Sequence, residues 1–427
     1  MQGVLTSMND KQIYAALEIS DHEVRLIVGE FFNTRFNIIK VERIPCNGIS
    51  GNAVTDPVAI INAIQKACAD AEKMIGARIE QVILGMPSFN MKRYSLKSTV
   101  RIEGIDNTVT IQDVRNAIKR AEQVNIGKNY ALIQTVCVKY TVNGISSRRI
   151  PIGERATDLT IDIDLLCADR KMSFDLVTCV EQSNLQVMDL YLDIFAVAKE
   201  AALFEQAVDQ NVIVLKMERA MTTLGLITRG RVNSAMILDS GLGTIAGALT
   251  KKYGLNVTDA CELVKYSAQL GKKEYSDNPV YIWQDGEETK KITEKELCMT
   301  LRPMAAGWVA SIEKLCRPIL QAGKTTVIIT GEGGEMQGFS ALLADALKCE
   351  VKDYIPETLG GRNAGLSACL GLFYAYKDRQ PITGYTDNSL DMEAFIKSVS
   401  YRERTDNGNT EDTLAKKLRG ILFDAKK

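Results

Sequence analysis

A β-rich meander followed by a helix occurs twice along this chain, and each copy is interrupted by an inserted segment, an order that few architectures accommodate. The first copy consists of three β-rich runs, residues 13–19, 24–31 and 36–44, separated by short polar turns; this is the pattern of an antiparallel meander. Apolar residues then recur at helical spacing, with Asp56 placed as N-cap, Pro57 in the first turn and Gly76 at the stop. A strand at 81–87 is followed by a small α+β insert: a strand at 98–103, an amphipathic helix at 110–124, and strands at 131–142 and 158–168. The β-rich pattern restarts at 211–238, gives way to a more polar, helical region at 246–324 and returns to strand at 325–331.

Composition restricts the chemistry. The 427 residues carry 52 Lys and Arg against 53 Asp and Glu, a net charge of −1, so overall charge provides no attraction for nucleic acid. Ten cysteines lie dispersed in apolar runs without any C-x-x-C, and His22 is the one histidine. That usage implies reduced, buried thiols in a cytosolic protein and no zinc site. The first ten residues, MQGVLTSMND, lack a long apolar core, and no stretch reaches the length of a membrane span. The chain is expected to stay inside the cell.

Two meander units with insertions resemble the actin/Hsp70/sugar-kinase architecture, and several stretches narrow the resemblance. "YAALEISDHEVRLIVGE" at residues 14–30, the insert starting after "QVILGMPS", "IPIGERATDL" at 150–159, the helical text at 179–203, "ACELVK" at 260–265 and "VIITGEGGEMQGF" at 327–339 together look like the bacterial cell-division protein FtsA. The resemblance implies an α/β, actin/Hsp70-like two-domain fold with an FtsA-type 1C subdomain insertion and a C-terminal amphipathic helix. It places subdomain 1A at 12–86 and 170–208, 1C at 87–169, 2A at 209–245 and 325–378, and 2B at 246–324. A linker at 379–412 and an amphipathic membrane-targeting helix at 413–427 complete the expected organisation.

In that family two hairpin turns wrap the phosphates of ATP, with Mg, while a Gly-rich turn and a nearby helix hold the adenosine. The resemblance assigns the adenosine side to Gly331, Gly333 and Gly334, whose lack of Cβ lets a backbone approach closely, and to Glu262 and Lys265, one helical turn apart. Glu332 stands where the family has a further glycine. The phosphate turns are altered. The first is matched by residues 18–23, with Ser20 in place of a required glycine and Glu23 at a lysine position; the second is matched by 216–223, which contain no glycine. A phosphate cradle needs consecutive backbone N–H groups facing the ligand, and Mg²⁺ needs carboxylates or ordered waters. Weak or absent ATP binding and weak or no ATPase activity are therefore expected, with no catalytic residue and the two domains kept closed by packing. His22 is read as a solvated turn residue. "LDSGLGT" at 238–244, better in composition as a phosphate turn, has the wrong spacing to the 260–265 helix and reads as a bend into 2B.

The C-terminus is polar through residue 412, and then Leu414, Leu418, Ile421, Leu422 and Ala425 share one arc of a helical wheel, with Lys416 and Arg419 outside it and Phe423 on the polar side. Such a segment, with Lys416, Lys417 and Arg419 near its start, suits an anionic membrane surface. By resemblance the partners are the C-terminal tail of the tubulin-like protein FtsZ, docking on 2B near Arg302, and further copies of the chain joined through 1C. The location is the inner face of the cell membrane at the division site. An actin-fold scaffold of a pilus or secretion assembly, of the PilM type, and an ATP-dependent phosphotransferase of the same superfamily are the alternatives.

Overall fold

The computed structural model describes residues 11–33, 35–103, 106–385 and 387–398. Strands β1 (Lys11–Ile19), β2 (Glu23–Phe32) and β3 (Arg35–Pro45) form the expected meander, followed by a small ribbon of β4 (Ile49–Ser50) and β5 (Ala53–Val54). Helix α1 (Pro57–Ile75) starts where Asp56 accepts a hydrogen bond from the Ala59 N–H at 2.9 Å. It stops at Gly76, whose φ of 80° lies in the left-handed region that a side chain disfavours. β6 (Gln81–Met86) returns parallel to β1, and β11 (Gln186–Leu192) adds on its far side, giving the order β11-β6-β1-β2-β3. Helix α1 covers part of this sheet through Ile60, Ile64, Ala67 and Ala71, all buried.

The insert contains β7 (Lys92–Arg101), α2 (Ile111–Glu122), β8 (Tyr130–Val142), β9 (Ile145–Ser147) and β10 (Asp158–Asp169). Its four strands make a separate antiparallel sheet, and α2, closed at its start by a Thr110–Asp113 capping box, packs Val114, Ala117 and Ala121 into a core of its own. The chain re-enters the first half through α3 (Arg170–Gln182), β11, α4 (Asp193–Glu200) and the short α5 (Leu203–Gln206).

The second half repeats the plan. β12 (Asn211–Met217), β13 (Thr222–Thr228) and β14 (Arg231–Leu238) are a second meander. Then come α6 (Leu242–Tyr253), α7 (Val257–Tyr266), the hairpin β15 (Pro279–Asp285) and β16 (Glu288–Thr293), and the long α8 (Glu294–Ala322). β17 (Thr325–Thr330) pairs parallel to β12, α9 (Phe339–Leu347) follows, and β18 (Glu350–Asp353) completes the order β14-β13-β12-β17-β18. Helix α10 (Ser367–Thr383) crosses back to the first half. A Cβ at Gly371 would sit 1.9 Å from the Ala196 carbonyl oxygen, so the crossing of α10 on α4 requires that glycine. α6 opens at Leu242, so of the "SGLGT" expected to be a bend only Ser240 and Gly241 precede the helix, with Gly241 as its N-cap, while Leu242, Gly243 and Thr244 form its first turn, inside the stretch assigned by resemblance to 2A.

Of the segment expected to be linker, the described residues 379–385 and 387–398 pack on the first half. Helix α10 continues to Thr383, and residues 388–391 then run back between β1 and the start of β6. Asn388 Oδ1 accepts from the Ile13 N–H at 2.7 Å, Ser389 Oγ from the Ala15 N–H at 2.8 Å, and the Ser389 carbonyl from the Glu80 N–H at 2.9 Å. Leu390 is buried and residues 392–398 are helical. The asparagine and serine that make this stretch look solvated are satisfying backbone donors of β1 that β6 does not reach. The remainder of the expected linker and the amphipathic segment, with Leu414, Leu418, Ile421 and Leu422, lie outside the described residues.

Leu390→Ala should therefore cost about 2–5 kcal/mol, as truncation of a buried leucine does, where a solvated linker would lose almost nothing. A urea titration of the full chain measures the difference.

Candidate functional site

The turn between β1 and β2 (residues 20–22) and the turn between β12 and β13 (residues 218–221) face one another across the cleft between the two halves, where the altered phosphate turns were expected. Their side chains fill it. The backbone N–H groups of Arg219, Ala220 and Met221 converge as an anion-binding nest would, and all three donate to the carboxylate of Asp21, at 3.3, 2.6 and 3.0 Å. An aspartate of the first turn occupies the position that the second turn offers to a phosphate.

Behind this contact lies a buried ionic lattice. Arg25, fully buried on β2, forms a two-pronged pair with Glu218 at 2.6 and 2.9 Å and also reaches Glu23 at 2.6 Å and Glu18 at 3.3 Å. Lys216 Nζ lies 2.6 Å from Glu18 and 3.0 Å from Asp193, which in turn accepts from Ser88 Oγ at 2.5 Å. Arg43 closes the outer side on Glu23 at 2.7 Å. Buried charges persist only when paired and hydrogen-bonded, and here each carboxylate meets at least one cation or backbone donor.

The glycine-rich turn joins the same lattice. Glu332, the departure from the family pattern, is buried and held by Arg219 at 2.7 and 3.1 Å, with Lys265 at 3.5 Å and His22 Nε2 at 3.3 Å. Gly331 and Gly333 are explained by a protein contact. At Gly331, with φ of 84°, a Cβ would lie 2.6 Å from the Met217 carbonyl oxygen, and at Gly333 it would lie 3.0 Å from the Met217 Cβ. Gly334 packs near Ala364 and Ile329. The structure does bring Lys265 and Glu262 together, at 2.7 Å on one face of α7, but Lys265 is buried toward Glu332 while Glu262 remains half exposed. Arg302 is exposed on the first turns of α8, beside Pro303, and far in sequence from any of these groups.

His22 corrects the expectation of a solvated turn residue. It is 4% exposed, with Nδ1 at 2.7 Å from Asp21. Its buried position follows from the closure of the second half over the first turn, which sequence alone does not display. Arg25, Asp193 and Arg219 were likewise not anticipated. The available signal was charge placed in otherwise apolar β runs: Glu18, Glu23 and Arg25 on one side, Lys216, Glu218 and Arg219 on the other.

These residues do not fit a magnesium nucleotide. Ligand atoms of Asp21, His22 and Glu218 lie within 4.8 Å of one another, a constellation that a divalent cation could use. Yet both oxygens of Asp21 accept backbone N–H groups and Glu218 is held by Arg25, with Lys216 at 3.7 Å. A phosphate chain would meet Asp21, Glu218 and Glu332 where it needs donors.

The electrostatics follow from this packing. Burial alone would raise the Glu23 carboxyl, but Arg25 and Arg43 hold it down at about 2. Burial opposes Arg25 and Lys216 at Glu218 in the same way, and the outcome is again about 2. Glu332 is lowered against its own burial by Arg219. Glu200, by contrast, is pushed up to about 7 by burial beside Tyr354.

Comparison with known proteins adds to this geometry. Residues 90–167, the insert, match the family described as the SHS2 domain inserted in FtsA. The Cell division protein FtsA of Bacillus subtilis (strain 168) is 23% identical over 377 residues, covering 86% of this chain and 83% of that protein. That of Escherichia coli (strain K12) is 21% identical over 367 residues, covering 82% and 86%. Among solved structures, the PilM-PilN type IV pilus biogenesis complex aligns with a TM-score of 0.56 at 13% identity, over 84% of this chain and 97% of that chain. MreB5 of Spiroplasma citri bound to ADP aligns with a TM-score of 0.51 at 10% identity, over 88% and 99%. The fold is thus actin-like, in two domains, with the insert in place.

Two outcomes follow for the lattice. Arg25→Met takes from Glu218 its two-pronged partner, while Glu18 keeps Lys216 and Glu23 keeps Arg43, and should destabilise the chain by about 3–5 kcal/mol at pH 7, with a smaller penalty at pH 4, read from denaturant midpoints at each pH. For the natural chain, the lowered carboxyls titrate near 2 when folded and near 4.3 when unfolded. Their contribution is complete above about pH 5 and is lost as pH falls toward about 2, because the unfolded chain takes up protons first. Glu200, raised when folded, acts in the opposite sense and gains stability as pH falls from about 7. A stability profile from pH 8 to pH 3 should accordingly peak near about pH 5 and drop steeply on the acid side.

Proposed function

We propose that this chain, which is actin-like in fold and similar to the Cell division protein FtsA over most of its length, is a nucleotide-independent adaptor of cell division. It tethers filaments of a tubulin-like division protein to the inner face of the membrane and assembles with copies of itself. The observation that carries this reading is the Asp21 carboxylate seated in the 219–221 nest. The cleft between the halves is closed by the protein's own charges, so a scaffold that stays in one shape fits better than an enzyme that opens and turns over. Phosphoryl transfer depends on positioned Mg²⁺ and backbone donors, and the donors here are already engaged.

The adaptor reading distributes roles over the chain. Subdomain 2B, about 246–324 with Arg302 exposed on α8, offers a surface to the acidic tail of the tubulin-like partner. The insert supplies a head-to-tail contact between like subunits, an interface that propagates instead of closing. Leu414, Leu418, Ile421 and Leu422, flanked by Lys416, Lys417 and Arg419, hold the chain on anionic lipid. Among the described residues no helix is long and apolar enough to cross a membrane, which accords with attachment from one side.

The reading is tested by flotation of the full chain with anionic liposomes and FtsZ. The expected outcome is recruitment of FtsZ to the vesicles without nucleotide, unchanged on addition of ATP and Mg²⁺, and lost on deletion of residues 413–427. Recruitment that requires ATP, or that survives the deletion, contradicts it.

A further inference from the structure

Away from the cleft, the insert and the second half border an open hollow of about 860 Å³, within the size range of small-molecule sites. Its wall carries six cationic side chains and a single carboxylate, Asp209, in a chain whose net charge is −1. The wall is therefore locally positive although the chain as a whole is nearly neutral.

Three of the cations are fixed in place. Asp164, buried on β10, accepts from Ser95 Oγ at 2.6 Å and holds Arg93 of the insert at 3.8 Å and Arg231 of the second half at 3.4 Å. Lys139 lies 3.4 Å from Asp162. The other three, Arg148, Arg229 and Lys324, are exposed and make no ion pair among the described residues. They come from three separate segments and meet at one cavity.

The backbone adds an independent sign. Arg229 and Gly230 are the two central residues of the β13–β14 hairpin, with φ of 53° and 68°. A two-residue turn of this kind needs positive φ at both positions and favours Asn-Gly or Gly-Gly. An arginine held there occupies a conformation that its own side chain disfavours, and its guanidinium is delivered to the cavity wall. Strain of this sort gathers at binding sites.

We infer that this cavity binds a compact anion bearing two or more phosphate groups, with Arg148, Arg229 and Lys324 as its principal contacts. Guanidinium groups match phosphate oxygens two at a time, and a lysine adds a point charge. Ser146, Ser147 and Thr228 supply hydroxyl donors alongside. Among the described residues no aromatic ring lines the cavity, so phosphates and not a nucleobase are recognised. The phosphates come either from a free oligophosphate or from a phosphorylated lipid headgroup, and because both halves contribute contacts, the ligand would brace the insert against β13 and β14.

The experiment compares the full chain with the variant Arg148→Ala/Arg229→Gly/Lys324→Ala in two arms. In the first, tripolyphosphate is titrated calorimetrically at low salt. In the second, vesicles of phosphatidylcholine with and without phosphatidylinositol bisphosphate are floated. Glycine accepts the positive φ at residue 229, so the variant should keep its thermal midpoint and any lost binding is local. At least a tenfold weaker tripolyphosphate affinity in the variant, with natural binding that declines as salt rises, supports the site and a free anion. Variant-sensitive flotation confined to the phosphoinositide vesicles supports the site and the headgroup. A variant indistinguishable from the natural chain in both arms, including the case in which neither binds, overturns it.

Discussion

The pair between Arg25 and Glu218 crosses from one half of the molecule to the other at full burial, and the arrangement of the cleft depends on it. Glu218 belongs to the turn between β12 and β13; Arg25 belongs to the strand behind the opposing turn. Neither group tolerates burial alone, because desolvation of an unpaired charge exceeds what packing returns. Together they fix the distance between the two hairpins closely enough for Asp21 to enter the 219–221 nest and for Glu332 to meet Arg219. Closure was expected to rest on packing. It rests in addition on ion pairs, and those make the interface geometrically specific in a way that apolar contact alone does not.

Much of the scaffold was legible in sequence because it is written locally. The first meander, the cap at Asp56 and the stop at Gly76 each depend on neighbours within a few positions. The absence of glycine from residues 18–23 and 216–223 was equally plain. The lattice was harder to read, since Glu18 finds Lys216 across nearly two hundred residues, and such a pairing exists only after the halves have docked. The same limit applies to His22, whose surroundings belong to the other half, and to the strap at 388–391. There Asn388 and Ser389 look solvated because they are polar, yet their oxygens take backbone donors of β1. Glycines 331 and 333 show a related ambiguity: the need for a missing Cβ is readable, but whether the approaching group is a ligand or Met217 is not.

The substitutions in the cleft are mutually consistent. The second turn carries the side chain of Glu218, and that buried carboxylate needs Arg25. The carboxylate at 332 needs Arg219, whose backbone N–H in turn receives Asp21. Any one of these changes alone would leave a buried charge unpaired. Present together, they form a network in which the protein supplies both anion and cation, and local choice agrees with global fold.

Such a network also bears on how the two halves respond to a ligand. A nucleotide can shift a conformational equilibrium only by the difference in its affinity for the two states. Here the state that could admit a phosphate chain is one in which Asp21 has left its nest and Glu218 has parted from Arg25. If breaking that pair costs about 3–5 kcal/mol, the admitting state is populated at roughly one part in a hundred to a few thousand, and apparent affinity falls by the same factor. A ligand of about micromolar intrinsic affinity would then bind with an apparent constant of about 0.1 to several millimolar. The closed shape is thus set by the chain's own ionisation, and acidification is the condition that would loosen it.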